Sequence, residues 1–204
     1  MTVKELLDQV NALRQHTFSN DQLVTWLNEV EGHVMTDVFL WPIGACYEYV
    51  VADTMSALVS FSDSQTMILT QDKGLAPGGT VTLSGLTTYA ANNGGPYKVL
   101  TVSDDGLTIG FADETFTATG DEADNAMLAW DGLGVQLLVL PPHDKLYRQY
   151  IMAQIAFAQE EWDGYQNYMA MYNEFMGEYK RWFARTYRPA DRRRWERYAR
   201  SWLL

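Results

Sequence analysis

The feature that most constrains this chain is a change of texture part-way along it. Both flanks carry apolar residues at helical spacing, and the stretch between them does not. From about 62 to 132 the sequence is rich in Gly, Thr, Ser and Asp and holds short β-prone runs. These are Met67–Thr70, Thr80–Ser84, Tyr97–Ser103, Leu107–Phe111 and Ala126–Trp130. Asn92-Asn93-Gly94-Gly95 and Asp104-Asp105-Gly106 are turn sequences between such runs, because Asn, Asp and Gly tolerate the backbone that tight turns need. Short strands with tight turns imply a small antiparallel barrel or sandwich.

The flanks read as helices. Thr2-Val3-Lys4-Glu5 fits a capping box, and Val3, Leu6, Leu7, Val10 and Leu13 follow on one face. Ser19-Asn20-Asp21-Gln22 offers a second start, with Leu23, Trp26, Leu27, Val30 and Val34 as its stripe. The spacing predicts helices over 3–15 and 20–38, packed as a hairpin. Residues 45–61 are apolar and fit either a strand or a short helix. After Pro141-Pro142, Asp144 is a candidate cap for a helix over 145–159, and a longer helix over 161–186 ends before Pro189. The expected fold class is α+β: an α-helical bundle of about four main helices with an inserted antiparallel β-barrel or sandwich. The domains read as a helical core (1–61 and 133–189), a β insertion (62–132) and a C-terminal tail (190–204).

Charge is segregated. Residues 1–179 hold 24 acidic and 6 basic residues, a net of −18, whereas residues 180–204 hold 9 basic residues against Asp191 and Glu196, a net of +7. The basic tail is also aromatic, with Trp195, Tyr198, Trp202, Leu203 and Leu204 among its arginines. Burying one Trp removes roughly 200 Å² from water, an upper bound of ~5 kcal/mol at about 25 cal/mol per Å². A tail of this kind gains by docking, and Arg beside aromatics suits a protein interface. A nucleic-acid patch is the alternative use of the same arginines, opposed by the acidity of the rest of the chain.

Chemistry of other kinds finds little footing. His16, His33 and His143 lie far apart, and no two histidines share the i, i+4 spacing of a helical metal site. Cys46, the only cysteine, precludes an intrachain disulfide and reads as a small apolar residue. The Gly74–Thr80 stretch lacks the Lys-Ser/Thr of a phosphate loop, Asp104-Asp105-Gly106 lacks the ligands of a calcium loop, and no Ser has a nucleophile-elbow setting. No enzyme, metal or cofactor is therefore expected. A carbohydrate-binding insertion would need exposed aromatics from the set Tyr89, Tyr97, Phe111, Phe116 and Trp130, several of which are expected in a core. No apolar run approaches the roughly 20 residues that cross a bilayer, and Met1–Glu5 has no apolar signal core behind it, so a chain made in the cytoplasm with no membrane partner is expected.

Two segments resemble phage head–tail connector (adaptor) proteins, the rings beneath the portal. One is Leu23-Val24-Thr25-Trp26-Leu27-Asn28-Glu29-Val30-Glu31-Gly32. The other contains Leu146-Tyr147-Arg148-Gln149-Tyr150, Ala153-Gln154-Ile155, Glu161, Tyr165, Asn167, Met169-Ala170-Met171-Tyr172-Asn173 and Tyr187-Arg188-Pro189. These regions span about half of the 204 residues. Val81–Leu86, Asn92–Val102 and Leu107–Ile109 resemble small β domains of phage structural proteins, whereas plainer connectors join their helical halves by a short segment. The resemblance implies a homo-oligomeric ring of about a dozen copies. It would join the portal to a stopper or tail-completion protein in the virion neck, after assembly in the host cytoplasm. DNA would pass through the lumen without specific binding, which an acidic wall favours. By the same analogy the tail docks on the portal through Arg192, Arg193, Arg194, Trp195, Arg197, Tyr198, Arg200, Trp202, Leu203 and Leu204.

Overall fold

The computed structural model describes residues 1–39, 48–111 and 116–187. Four helices and a closed six-stranded antiparallel barrel make up the fold, which is therefore α+β. Helix α1 (Val3–Leu13) opens with the expected capping box: the Glu5 N–H donates to Thr2 Oγ1 at 3.2 Å and the Thr2 N–H to Glu5 Oε2 at 2.8 Å. Val3, Leu6, Leu7 and Val10 are its buried face. Helix α2 (Asn20–Val34) is capped by Ser19, whose Oγ accepts from the Gln22 N–H. It runs on as a π-helical turn, Met35–Phe39, so the expected single helix over 20–38 changes its hydrogen-bond period near its end.

Six strands follow: β1 (Asp53–Asp63), β2 (Thr66–Leu69), β3 (Thr80–Ser84), β4 (Gly94–Val102), β5 (Thr108–Phe111) and β6 (Gly120–Asp131). They close in the order β1-β2-β5-β4-β3-β6. The first strand corrects the sequence reading, since its residues fit either secondary structure and the expected start of the β segment at 62 falls inside it. Its alternation is real but blurred. Ala57, Val59 and Phe61 face inward, while the outward row includes Leu58, which is 42% exposed. A large apolar residue on the wet face hides period 2 from a reader of sequence.

The barrel has its own aromatic core. Phe61 meets Phe116 at 4.5 Å and Tyr89 at 5.1 Å between ring centroids, and Phe111 meets Phe116 edge-on at 5.1 Å. Tyr89, Phe111, Phe116 and Trp130 are all buried and Tyr97 is partly so, which leaves none of the five as an open platform for a sugar. The Asp104-Asp105-Gly106 turn forms as expected: Asp105 accepts from the Ser103 hydroxyl and the Leu107 N–H, and Gly106 sits at φ 71°. The Asn92-Gly95 signal resolves differently. A 3-10 turn (Ala90–Asn92) precedes it, and Gly94 and Gly95 already belong to β4.

Beyond β6 the chain passes close to where it entered. The Gly132 N–H donates to Val50 O at 3.2 Å, and a Cβ at Gly132 would stand 2.8 Å from that oxygen, so only Gly fits. Residues 133–137 pair with the N-terminus through Val3 N–H to Val135 O and Leu137 N–H to Met1 O. Helices α3 (Lys145–Ala158) and α4 (Trp162–Tyr187) form an antiparallel hairpin, with α1 and α2 also packed on α3. Asp144 adopts α-helical backbone and makes no side-chain cap bond, contrary to the expectation, because it is already inside the helical turn. One continuous set of buried apolar residues runs from the helices into the barrel.

Candidate functional site

The tail residues expected to dock, Arg192 to Leu204, lie outside the described residues. What the structure describes is the helix that leads to them. α4 buries Tyr172, Met176 and Tyr179 at successive helical positions. Tyr172 packs on Tyr150 at 5.1 Å, and its hydroxyl lies 3.4 Å from His33 Nδ1. Further along, His143 packs on Tyr179 at 5.4 Å and on Trp182 at 5.0 Å, and Phe183 packs on Phe39 at 4.8 Å. The Lys180 ammonium reaches Asp37 Oδ2 at 3.0 Å and holds that carboxyl below the usual carboxylate range. Two histidines that are remote in sequence thus both brace α4. Among the described residues no group of three or more His, Cys, Asp or Glu suited to a metal occurs.

The chemistry with the strongest physical signature is a buried carboxylate that sequence reasoning missed. Glu31, on the apolar face of α2, is 2% exposed. Its Oε1 accepts from the Tyr49 hydroxyl at 2.5 Å, the Tyr147 hydroxyl at 2.9 Å and the Leu138 N–H at 3.3 Å. The hydroxyls in turn accept backbone protons, Tyr49 from Leu138 at 3.1 Å and Tyr147 from Val139 at 2.9 Å. Oε2 accepts no hydrogen bond. Burial pushes the Glu31 pKa up, and the hydrogen bonds from Tyr49, Tyr147 and Leu138 only partly oppose it. Burial, with the carboxylate beside it, likewise raises Tyr147 well above the ordinary phenol value.

Neighbouring residues on α2 extend this node. The Asn28 side-chain amide pairs with the Tyr49 backbone as a strand would, donating to its carbonyl at 3.0 Å and accepting its N–H at 2.9 Å. Glu29 Oε2 accepts from the Tyr150 hydroxyl on α3 at 2.8 Å. Asn28, Glu29 and Glu31 together tie α2 to the chain before the barrel, to the chain after it and to α3. The signal was present in the sequence: Glu31 stands four residues after Leu27 and three before Val34, within the buried stripe.

The arrangement pins elements together. Among the described residues no helix is long and apolar enough to cross a membrane. No protein-family model and no curated protein sequence matches the chain.

Proposed function

We propose that the chain is a subunit of the head–tail connector (adaptor) ring of a tailed bacteriophage, a structural joint rather than a catalyst. One observation carries this reading. Of the two segments that resemble connectors, Leu23–Gly32 falls on α2, and the later one, which runs from Leu146 to Pro189, falls on the α3–α4 hairpin as far as Tyr187. They meet directly, through Glu31 with Tyr147 and Glu29 with Tyr150. Residues of the resemblance thus hold one another although the barrel separates them in the chain.

In this reading α1–α4 form a helical bundle and the barrel is an insertion in it. Copies assemble as a ring of about a dozen, the closed cyclic arrangement usual for channel-forming homo-oligomers. The ring joins the portal to a stopper or tail-completion protein, and DNA slides through its lumen without specific binding. The subunit is made in the host cytoplasm and ends in the virion neck. The basic aromatic tail, Arg192–Leu204, docks on the portal, and α4, the helix before it, is braced by Phe39, Asp37 and His143.

Co-purification with the portal protein from the same genome tests the assignment. The full chain should be retained and a chain ending at Pro189 should be lost. Equal retention of the two would overturn the role of the tail.

A further inference from the structure

α4 presents opposite chemistry at its two ends. Its 26 residues make it about 39 Å long at 1.5 Å per residue. At the N-terminal end, Trp162 is 58% exposed and Phe157, from the end of α3, is 49% exposed. Phe157 packs edge-on against Trp162 at 5.5 Å and lies 5.4 Å from Tyr165. The three rings pack on one another as an aromatic knob at the α3–α4 turn. Arg14, at the end of α1, reaches Glu161 Oε2 at 2.6 Å and Gln159 Oε1 at 2.6 Å, which fixes the α3–α4 turn. Glu160 and Asp163 stand exposed beside the knob. At the other end Trp182 is 39% exposed, stacked on Tyr179, and Arg181 and Arg185 are exposed around it.

Acidic residues at the start of a helix and basic ones at its end also suit its own dipole. That accounts for the charges and leaves the exposure of Trp162 and Phe157 unexplained, since large aromatics in water are characteristic of interfaces. The occupant follows from charge. Residues 1–179 carry a net −18, so most faces of two copies repel each other. The Lys180–Arg185 end of α4 is a run of three basic residues in an acidic body, and the Glu160–Asp163 end is its opposite in sign.

We infer that the two ends of α4 are the two halves of a head-to-tail contact between copies of this chain, the Phe157–Trp162 knob and its acidic rim on one copy meeting Trp182, Arg181 and Arg185 on the next. A contact between two different patches is heterologous, and repetition of it closes a ring or extends a filament. The inference rests on the ring reading and supplies its subunit contact. The test is sedimentation velocity over a concentration series, with two reversed variants: Glu160→Lys with Asp163→Lys, and Arg181→Glu with Arg185→Glu. Glu161 and Lys180 are left intact because they pair with Arg14 and Asp37. Wild type should assemble, each variant alone should lose at least about tenfold in association constant, and an equimolar mixture should recover it, because each reversed end then finds its complement. Melting temperatures near that of wild type establish that the variants fold. Folded variants that assemble like wild type overturn the contact and leave the ring reading standing on another surface. A mixture that fails to recover, or a wild type that stays monomeric at every concentration, also overturns it, and the ring reading is then decided by the portal complex alone.

Discussion

Two buried carboxylates, one among the helices and one in the barrel, titrate in opposite directions. Asp124, on β6, is 6% exposed, and burial alone would raise its pKa. It accepts from the N–H groups of Tyr89, Thr88 and Thr87 and from the Thr87 hydroxyl, at 2.7–3.1 Å. Together these donors outweigh the burial and hold it below the usual range. Glu31 is buried more deeply, accepts two phenols and one longer N–H on a single oxygen, and is pushed up. The number of donors, and how firmly the backbone holds them, decides the sign. The reach of the two sites differs as well. Asp124 ties a loop to a strand of the same barrel, whereas Glu31 joins α2, the segment before the barrel, the segment after it and α3. The barrel's polar node is local, and the helices' node determines how the chain closes around the barrel.

Breaking the comparison at its stronger side should give the largest effect. Glu31→Ala leaves the Tyr147 hydroxyl without its acceptor in a closed site and leaves the Tyr49 hydroxyl with its longer bond to Gln136 O, a loss of about 3 kcal/mol by urea unfolding. Asp124→Ala should cost less, because water can reach the exposed residues of the 85–88 loop. Hydrogen exchange should localise its effect to residues 85–92 and leave α2 and α3 protected. The smallest effect is the pH dependence. The folded-state pKa of Glu31 is raised above the ordinary value of 4.5, so the folded state binds the proton more tightly than the unfolded chain. Its contribution to stability is fully present below 4.5 and is lost as pH rises through the folded value. Glu31→Gln removes that titration, so its unfolding free energy minus that of wild type should rise from acid pH towards neutrality. A difference that is flat, or that falls, would mean that the donors to Glu31 offset its burial as those to Asp124 do.

The sequence made the helices legible where caps and stripes coincide. Thr2 with Glu5, Ser19, and the Val3–Val10 face all reappear as drawn. The barrel's later strands were legible too, because Gly and Asn turns bound them. β1 was not, since Leu58 interrupts its alternation and its partner β6 is distant in the chain, with Asp53 opposite Trp130 and Phe61 opposite Gly120. The Glu31 node lies beyond any local pattern for the same reason. Its partners Tyr49, Leu138 and Tyr147 are brought together only by closure of the chain. A charged residue within the α2 stripe was the visible hint, and the stripe alone does not say what would satisfy it.

The most direct test of the connector reading is mass photometry on the purified chain, alone and mixed with the portal protein of the same genome. The account predicts a ring of about a dozen copies, or a stable complex with the portal holding a comparable number. A chain that remains monomeric alone and stays free of the portal when mixed would contradict it.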